Sequence, residues 1–319
     1  NQMKIAQVLA VDAWGGVDAG SLERGIGGRE GSLIRLAREW ARMGHEVTCF
    51  VPTKKPQRVY EDGGLRESGG WYPDGYYEFV PFAIAKTMFA TFPYDACVAW
   101  ECPGVFADER ILEINPVRLV EMQCAHMSLA EIDATAEFAT GVVGLSQWHV
   151  DFLAHQGIEG PFHVLPNGVD LKHYPYRERK GLPHKPKFFY SSSPDRGLWH
   201  LLRLWPLIRE QWPEAELKIA YGLKKWLSHQ IWSHQRQGQM AVEIYQLVSQ
   251  DGVEDMGQLS HAALAKLQCS SNLMAYPCDT IAPTETGCIT VIEAMAASCP
   301  VVTTNCDCLE EEFGTAAGI

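Results

Sequence analysis

The 319-residue chain sets 27 Lys and Arg against 39 Asp and Glu, a formal net charge of −12, which argues against a nucleic-acid or anionic-membrane surface. Its 46% hydrophobic and 21% charged residues are the balance of a globular protein, and the length suits two domains of about 150 residues better than one core. The sequence holds no run of about 18 apolar residues that would span a membrane.

The opening "NQMKIAQVLAV", interrupted by Gln7, reads as a first strand over 4–11 rather than a secretory signal. Its first residue is Asn, which leaves room for an upstream piece. The loop "RGIGGREG" at 24–31 leads into a helix with Leu33, Leu36, Ala37, Trp40 and Ala41 on one face, capped by Gly44. Strands are then expected at 46–51, 96–100, 119–124, 142–145 and 163–165, and a second series starts near 187 with "KFFYSSS" and continues at 217–220, 273–276 and 301–304. Short apolar strands alternating with helical patterns are the mark of parallel α/β layers. Between the two series, 166–186 is polar and rich in Pro and Gly, which suits a linker. The expected domains are therefore 1–167 and 168–319. Ten cysteines are scattered without a CxxC pair; they read as free, mostly buried thiols of a reducing cytosol, with a disulfide framework as the alternative.

Gly25, Gly27, Gly28 and Gly31 raise a dinucleotide site, but GxGxxG would need glycine at 30, where Glu30 stands, and no acid ends the second strand at "FVPT". The loop suits a phosphate or a close ligand approach, or else a plain turn. In "PTETGCITVIEAMAASCPVV", 283–302, Glu285 and Glu293 stand eight residues apart. Ile289, Ile292, Met295 and Ala296 predict the buried face of a helix, with Glu293 at its edge and Pro300 ending it. Both acids either favour the helix N-terminus, by roughly 0.3 to 1 kcal/mol each, or belong to a site.

Taken together, "GIGGREGSLIRLAREWARMGHEVTCFVP", "VLPNGVDLKHY", "SSSPDRGLWHLLRLWPLI" and "ETGCITVIEAMAASCPVV" resemble the family-four retaining glycosyltransferases of the GT-B fold. The resemblance implies an α/β protein of two Rossmann-like domains facing across a cleft, with a nucleotide-sugar held by the C-terminal domain and an acceptor by the N-terminal one. It implies that Glu285 binds the hydroxyls of the donor sugar and Glu293 the ribose, while backbone N–H groups of Gly287, Cys288 and Ile289 serve the sugar and diphosphate. Thr286, Gly27 and Gly28 join the donor contacts. Arg196, in "SPDRGL", matches a phosphate-binding cation, a surface arginine being the alternative. Ser192 and Ser193 stand where the family often carries a further basic residue, so their hydroxyls take part of that role.

His126, in "MQCAHMS", falls where the family has a histidine on the donor sugar, although an isolated histidine is also often structural. Glu101 closes the strand "CVAW" and either meets the acceptor or caps a loop. His229 and His234 read as a solvated helical face. No Asp-x-Asp metal motif occurs, so neither metal nor cofactor is expected, and retention, with the donor phosphate helping to deprotonate the acceptor, follows from the resemblance.

The expected partners are a nucleotide-sugar donor and a glycan, lipid or small-molecule acceptor, without nucleic acid and with a peripheral membrane contact left open; the expected location is the cytoplasm. The rival readings are a nucleotide-sugar-binding module without turnover and an NAD-dependent oxidoreductase. The resemblance also implies a missing C-terminal piece, with Leu309, Phe313 and Ile319 left without partners.

Overall fold

The computed structural model describes residues 2–10, 16–60, 65–66, 75–178, 181–230, 236–279 and 283–314. Val11, His234 and Ile319 lie outside the described residues. The chain divides into two compact units, Asn1–Leu22 with Ile26–Pro166 and Glu23–Gly25 with Asn167–Ile319.

In the first unit the strands are β1 Lys4–Leu9, β2 Glu46–Val51, β3 Gln57–Tyr60, β4 Leu65–Arg66, β5 Tyr76–Pro81, β6 Ala96–Trp100, β7 Arg118–Glu121, β8 Gly141–Gly144 and β9 Phe162–Val164. They form one sheet in the order β4-β3-β5-β2-β1-β6-β7-β8-β9. From β5 to β9 every neighbouring pair is parallel, whereas β3 runs antiparallel to both β4 and β5. The order reverses between β1 and β6, the switch point at which open α/β sheets hold ligands beyond the strand ends.

Strand β1 is buried along all but its first residue. Gln7, polar in its middle, is accommodated by two bonds: its Nε2 donates to the Leu33 carbonyl at 3.3 Å and its Oε1 accepts from Trp100 Nε1 at 3.0 Å. The helix Gly28–Arg42 covers this sheet with Leu33, Ile34, Ala37 and Ala41 buried and with Leu36 and Trp40 packed beside them. Each such large side chain contributes on the order of 1.5–3 kcal/mol. Gly44 follows the helix at φ +89°, the left-handed end that favours glycine.

The second unit holds β10 Lys187–Tyr190, β11 Glu216–Ile219, β12 Val253–Asp255, β13 Leu273–Tyr276 and β14 Val301–Thr303. They pair in parallel in the order β12-β11-β10-β13-β14, again reversing direction beside the first strand. Helix Leu198–Gln211 buries Leu198, Leu201, Leu202 and Trp205 against this sheet. Its entry needs Gly197, at φ +105°, because a Cβ there would lie 2.0 Å from the Pro277 carbonyl oxygen. That contact brings the loop after β10 against the end of β13.

Four expectations are corrected. Strand β1 stops at Leu9 within the described residues, and β7 ends at Glu121 rather than at 124. The helix Ile289–Ala296 buries Thr290, Val291, Glu293 and Ala294, while Met295 is exposed; its inward face is the one carrying the acid. Leu309 and Phe313 are not left without partners, since both pack into the core of the second unit. Strands β3, β4, β5 and β12 were not expected.

None of the ten cysteines forms a disulfide among the described residues, and seven of them are buried. Among the described residues, no helix is long and apolar enough to cross a membrane.

Candidate active site

The expected site residues fall into two groups, one in each unit. In the second unit they gather at the C-terminal ends of β10 and β13, the switch point of that sheet. Ser191 and Ser192 follow β10, and Tyr276 ends β13. Glu285, 3% exposed, is the centre of the group. Its Oε1 accepts from Arg196 Nη1 at 3.1 Å, and its Oε2 accepts from the Tyr276 hydroxyl. That hydroxyl also shares a 3.1 Å hydrogen bond with Ser192 Oγ, so the chain Ser192, Tyr276, Glu285, Arg196 is continuous.

The backbone around Glu285 is fixed as well: the amides of Thr284 and Glu285 both donate to Asp307 Oδ2 at 3.0 Å, and the Glu285 carbonyl accepts from the Cys308 amide at 3.2 Å. Burial alone would lower the pKa of the Arg196 guanidinium, but the charge of Glu285, helped by Tyr276 and Asp195, outweighs it and holds the group well above its ordinary value. Arg196 keeps 31% of its side chain exposed and uses one of its five N–H donors on Glu285. Burial, followed by the charge of Glu285, raises the Tyr276 phenol well above its usual pKa, which keeps it a neutral donor.

Eight residues on, Glu293 is also 3% exposed. Its Oε2 accepts from Gln268 Nε2 at 3.2 Å, and Gln268 Oε1 in turn accepts from the Tyr174 hydroxyl at 3.1 Å. One turn earlier Thr290 shares a hydrogen bond with Ser191. Asn167, in the "PNG" of the linker, donates from Nδ2 to the Gly287 carbonyl at 2.9 Å, tying the turn before the helix.

The three amides assigned to an anion are not equivalent. That of Cys288 donates to Glu312 Oε2 at 3.2 Å, and burial pushes the Glu312 carboxyl up to about 7. An acid of this chain therefore already occupies part of that helix N-terminus. Thr286 is buried beside Glu285.

The first-unit group lies at the switch point between β1 and β6. Glu101 directly follows β6 and takes φ +55°, a left-handed conformation rare for a residue with a side chain. Its Oε1 accepts from the Gln123 amide at 3.0 Å and its Oε2 pairs with Arg29 Nη1. Arg29, just inside the helix that Gly27 caps and Gly28 opens, also reaches Glu30 at 3.1 Å. Burial would lower the Arg29 pKa, but Glu101 and Glu30 together raise it. Behind them Glu121 accepts from Gln123 Nε2 at 3.0 Å, and burial lifts its carboxyl to about 8.

His126 stands five residues beyond the end of β7, exposed, with its ring edge-on to Phe152 at 5.6 Å. With Arg29 and Glu101 it lines a cavity of about 200 Å³. Glu101 thus both accepts from a loop amide and lines a cavity. His229 is exposed, as expected.

Sequence reasoning missed Tyr276, Gln268, Asp307, Glu312 and Arg29. Tyr276 was the legible one, being the last residue of a strand that was read correctly. The others act through partners 22 to 72 residues away, for which a single sequence carries no signal.

Residues 175–317 match the family model described as "Glycosyl transferases group 1". This is less than half of the chain but most of the second unit, and sugar transfer is the class of activity it supports. No curated protein sequence matches the chain. Among solved structures, the sucrose-phosphate synthase of Thermosynechococcus elongatus is 16% identical with a TM-score of 0.66, over 97% of this chain and 83% of that one. HepE of Anabaena, solved in complex with UDP and glucose, is 17% identical with a TM-score of 0.64, over 99% of this chain and 85% of that one. The catalytic domain of starch synthase IV from Arabidopsis thaliana, bound to ADP and acarbose, is 11% identical with a TM-score of 0.56, over 98% of this chain and 85% of that one. At these identities the likeness shows the fold, that of the GT-B glycosyltransferases.

Proposed function

We propose that the chain is a retaining, metal-independent glycosyltransferase of family four, which moves a sugar from a nucleotide-sugar to a hydroxyl of a glycan, lipid or small-molecule acceptor. The observation that carries this reading is the buried Glu285 held between Arg196 and Tyr276 at the switch point of the second sheet, in the segment that matches the family model.

In this reading the C-terminal domain, 168–319, holds the donor. Two of the roughly four lone-pair sites of Glu285 are engaged by Arg196 and Tyr276, which leaves two for sugar hydroxyls. The free donors of Arg196, with the amides of Gly287 and Ile289 and the hydroxyls of Ser192 and Thr286, counter the charge that develops on the leaving diphosphate. The Cys288 amide joins them when Glu312 gives it up. Glu293, aimed by Gln268, accepts from the ribose hydroxyls, since one carboxylate serves a vicinal diol well.

The N-terminal domain, 1–167, serves the acceptor through Glu101. The acceptor oxygen bonds to the anomeric carbon as the bond from that carbon to the phosphate oxygen breaks. The acceptor proton passes to the departing phosphate oxygen, and the product keeps the configuration of the donor. HepE, solved with UDP and glucose, and starch synthase IV, solved with ADP, support a nucleotide-sugar as the donor class.

Incubation with labelled UDP-, ADP- and GDP-sugars tests the proposal: transfer or slow hydrolysis of one donor is expected. Tight nucleotide binding with no turnover on any acceptor would reduce the protein to a binding module.

A further inference from the structure

Beyond the cavity at Glu101 and His126 the first unit holds a larger one of about 600 Å³, within the roughly 300–1,000 Å³ of small-molecule sites. The two share Ala10, Glu101 and Glu131 as walls, so they are neighbouring compartments with Glu101 between them. Their chemistry differs. The smaller presents Arg29 and His126. The larger is walled by Phe82, Ala85, Cys102, Pro103, Val105 and Ala134, with only Lys86 and the two shared glutamates as charged members.

Each of those two glutamates already accepts two hydrogen bonds. Glu101 is paired with Arg29 and the Gln123 amide, and Glu131 accepts from both the amide and the hydroxyl of Ser128 in the capping box of its helix. The sugar-recognising sites of a polar acceptor need many converging donors and acceptors, and this compartment offers few. Two chain neighbours of its walls are exposed apolar residues: Leu129 is 80% exposed and Ile84 43%.

We infer that the acceptor is an alcohol whose hydroxyl is borne on an apolar body: the body fills the larger compartment and the hydroxyl reaches Glu101 in the smaller one. The inference deepens the proposed glycosyl transfer and rests on it for the word acceptor. A body of ordinary small-molecule size is held there by loss of apolar area from water, at about 25 cal/mol per Å², while the second lone pairs of the Glu101 carboxylate take the hydroxyl. A free sugar would leave its hydroxyls facing alanines, valine and phenylalanine without partners, a mismatch that costs more than the contact returns.

Binding and transfer test this together. The probes are 2-naphthol for a ring body, 1-octanol for a chain body and maltose for a sugar, each titrated calorimetrically against the whole protein and then offered as acceptor with the nucleotide-sugar it consumes. One of the two apolar alcohols is expected to bind at least tenfold more tightly than maltose, and which of them does so separates ring from chain. Gly104→Trp fills the compartment at low structural risk, because a Cβ at Gly104 meets no heavy atom within 4 Å; Ala130→Trp, at another exposed wall position, is the second variant.

Each variant is expected to weaken the alcohol at least tenfold with its melting temperature unchanged. Alcohol binding that survives both substitutions, or preference for maltose, overturns the inference. If donor is consumed and only sugars are glycosylated, glycosyl transfer stands and the apolar acceptor falls. If the alcohol binds and is lost in the variants while no nucleotide-sugar is ever consumed, the compartment stands and the transfer reading falls.

Discussion

Replacing Glu285 separates what the carboxylate does for the fold from what it does for chemistry. Glu285→Ala removes the acceptor of two hydrogen bonds at a position only 3% exposed. Breaking a buried ion pair from one side costs about 3–5 kcal/mol, and a hydrogen bond to a charged group is worth about 1.5–3 kcal/mol. Arg196, however, is 31% exposed and can turn to water, so its share is discounted, and Tyr276 keeps Ser192 as a partner. The expected loss is about 2–4 kcal/mol, which at roughly 2–4 °C per kcal/mol for a chain of this size lowers the melting temperature by roughly 5–15 °C.

Glu285→Gln is nearly isosteric. Its amide oxygen accepts from Arg196 and its NH2 donates to the Tyr276 oxygen, so the expected loss falls to about 1 kcal/mol. Turnover should fall in both variants, by about a hundredfold in the Gln form, because contacts that tighten only in the transition state act on kcat. Affinity for the free nucleoside diphosphate should stay within a few-fold. Thermal melts, calorimetry with the nucleotide and donor turnover, run on the same preparations, check all three. Full turnover in Glu285→Gln beside an unstable Glu285→Ala would make the carboxylate a structural partner of Arg196 and refute its assignment to the sugar.

Glu293→Ala should weaken nucleoside diphosphate binding about tenfold or more, or about 1.4 kcal/mol, and change kcat less than KM; unchanged calorimetric affinity would remove the ribose from Glu293. Chelation with EDTA should leave turnover within twofold if, as proposed, Arg196 and the helix N-terminus supply the counter-charge; loss of activity restored by magnesium or manganese contradicts this.

Glu121 gives a pH signature. Its carboxyl is raised from an ordinary 4.5 to about 8 in the folded protein, so between those values the native state holds a proton that the unfolded chain has lost. The stability this contributes is complete below about pH 4.5 and disappears as pH rises toward 8, by about 1.4 kcal/mol per pKa unit at most. Glu121→Gln, which carries its hydrogens at every pH, should flatten that fall in urea titrations at pH 5, 6.5 and 8. An unchanged slope would mean that Glu121 ionises normally.

Both sheets were largely legible because parallel strands buried on two faces read as short apolar runs, and strands such as Glu46–Val51, Ala96–Trp100 and Leu273–Tyr276 were located to the residue. Strand β5 was missed because it follows the glycine-rich stretch before residue 76 and ends in Pro81, and β12 because three residues carry no period. The instructive failure is the helix Ile289–Ala296. Its sequence fits a buried face at Ile289, Ile292 and Met295 as well as one at Thr290, Val291, Glu293 and Ala294, and hydrophobicity favours the first. The fold takes the second.

A rule that ranks faces by apolar content turns an acid outward, yet here Thr290 and Glu293 point inward to Ser191 and Gln268, while Met295 is left exposed. Burying Glu293 against Gln268 instead of Met295 against the core sacrifices transfer energy that a purely structural helix would keep. Positions where local rules fail are the ones expected to hold a function or a strain. The misreading of that helix face is therefore itself an argument for a site at Glu293, independent of any likeness to other proteins. The same reasoning applies to Glu101, where a side-chain-bearing residue holds φ +55° between two cavities.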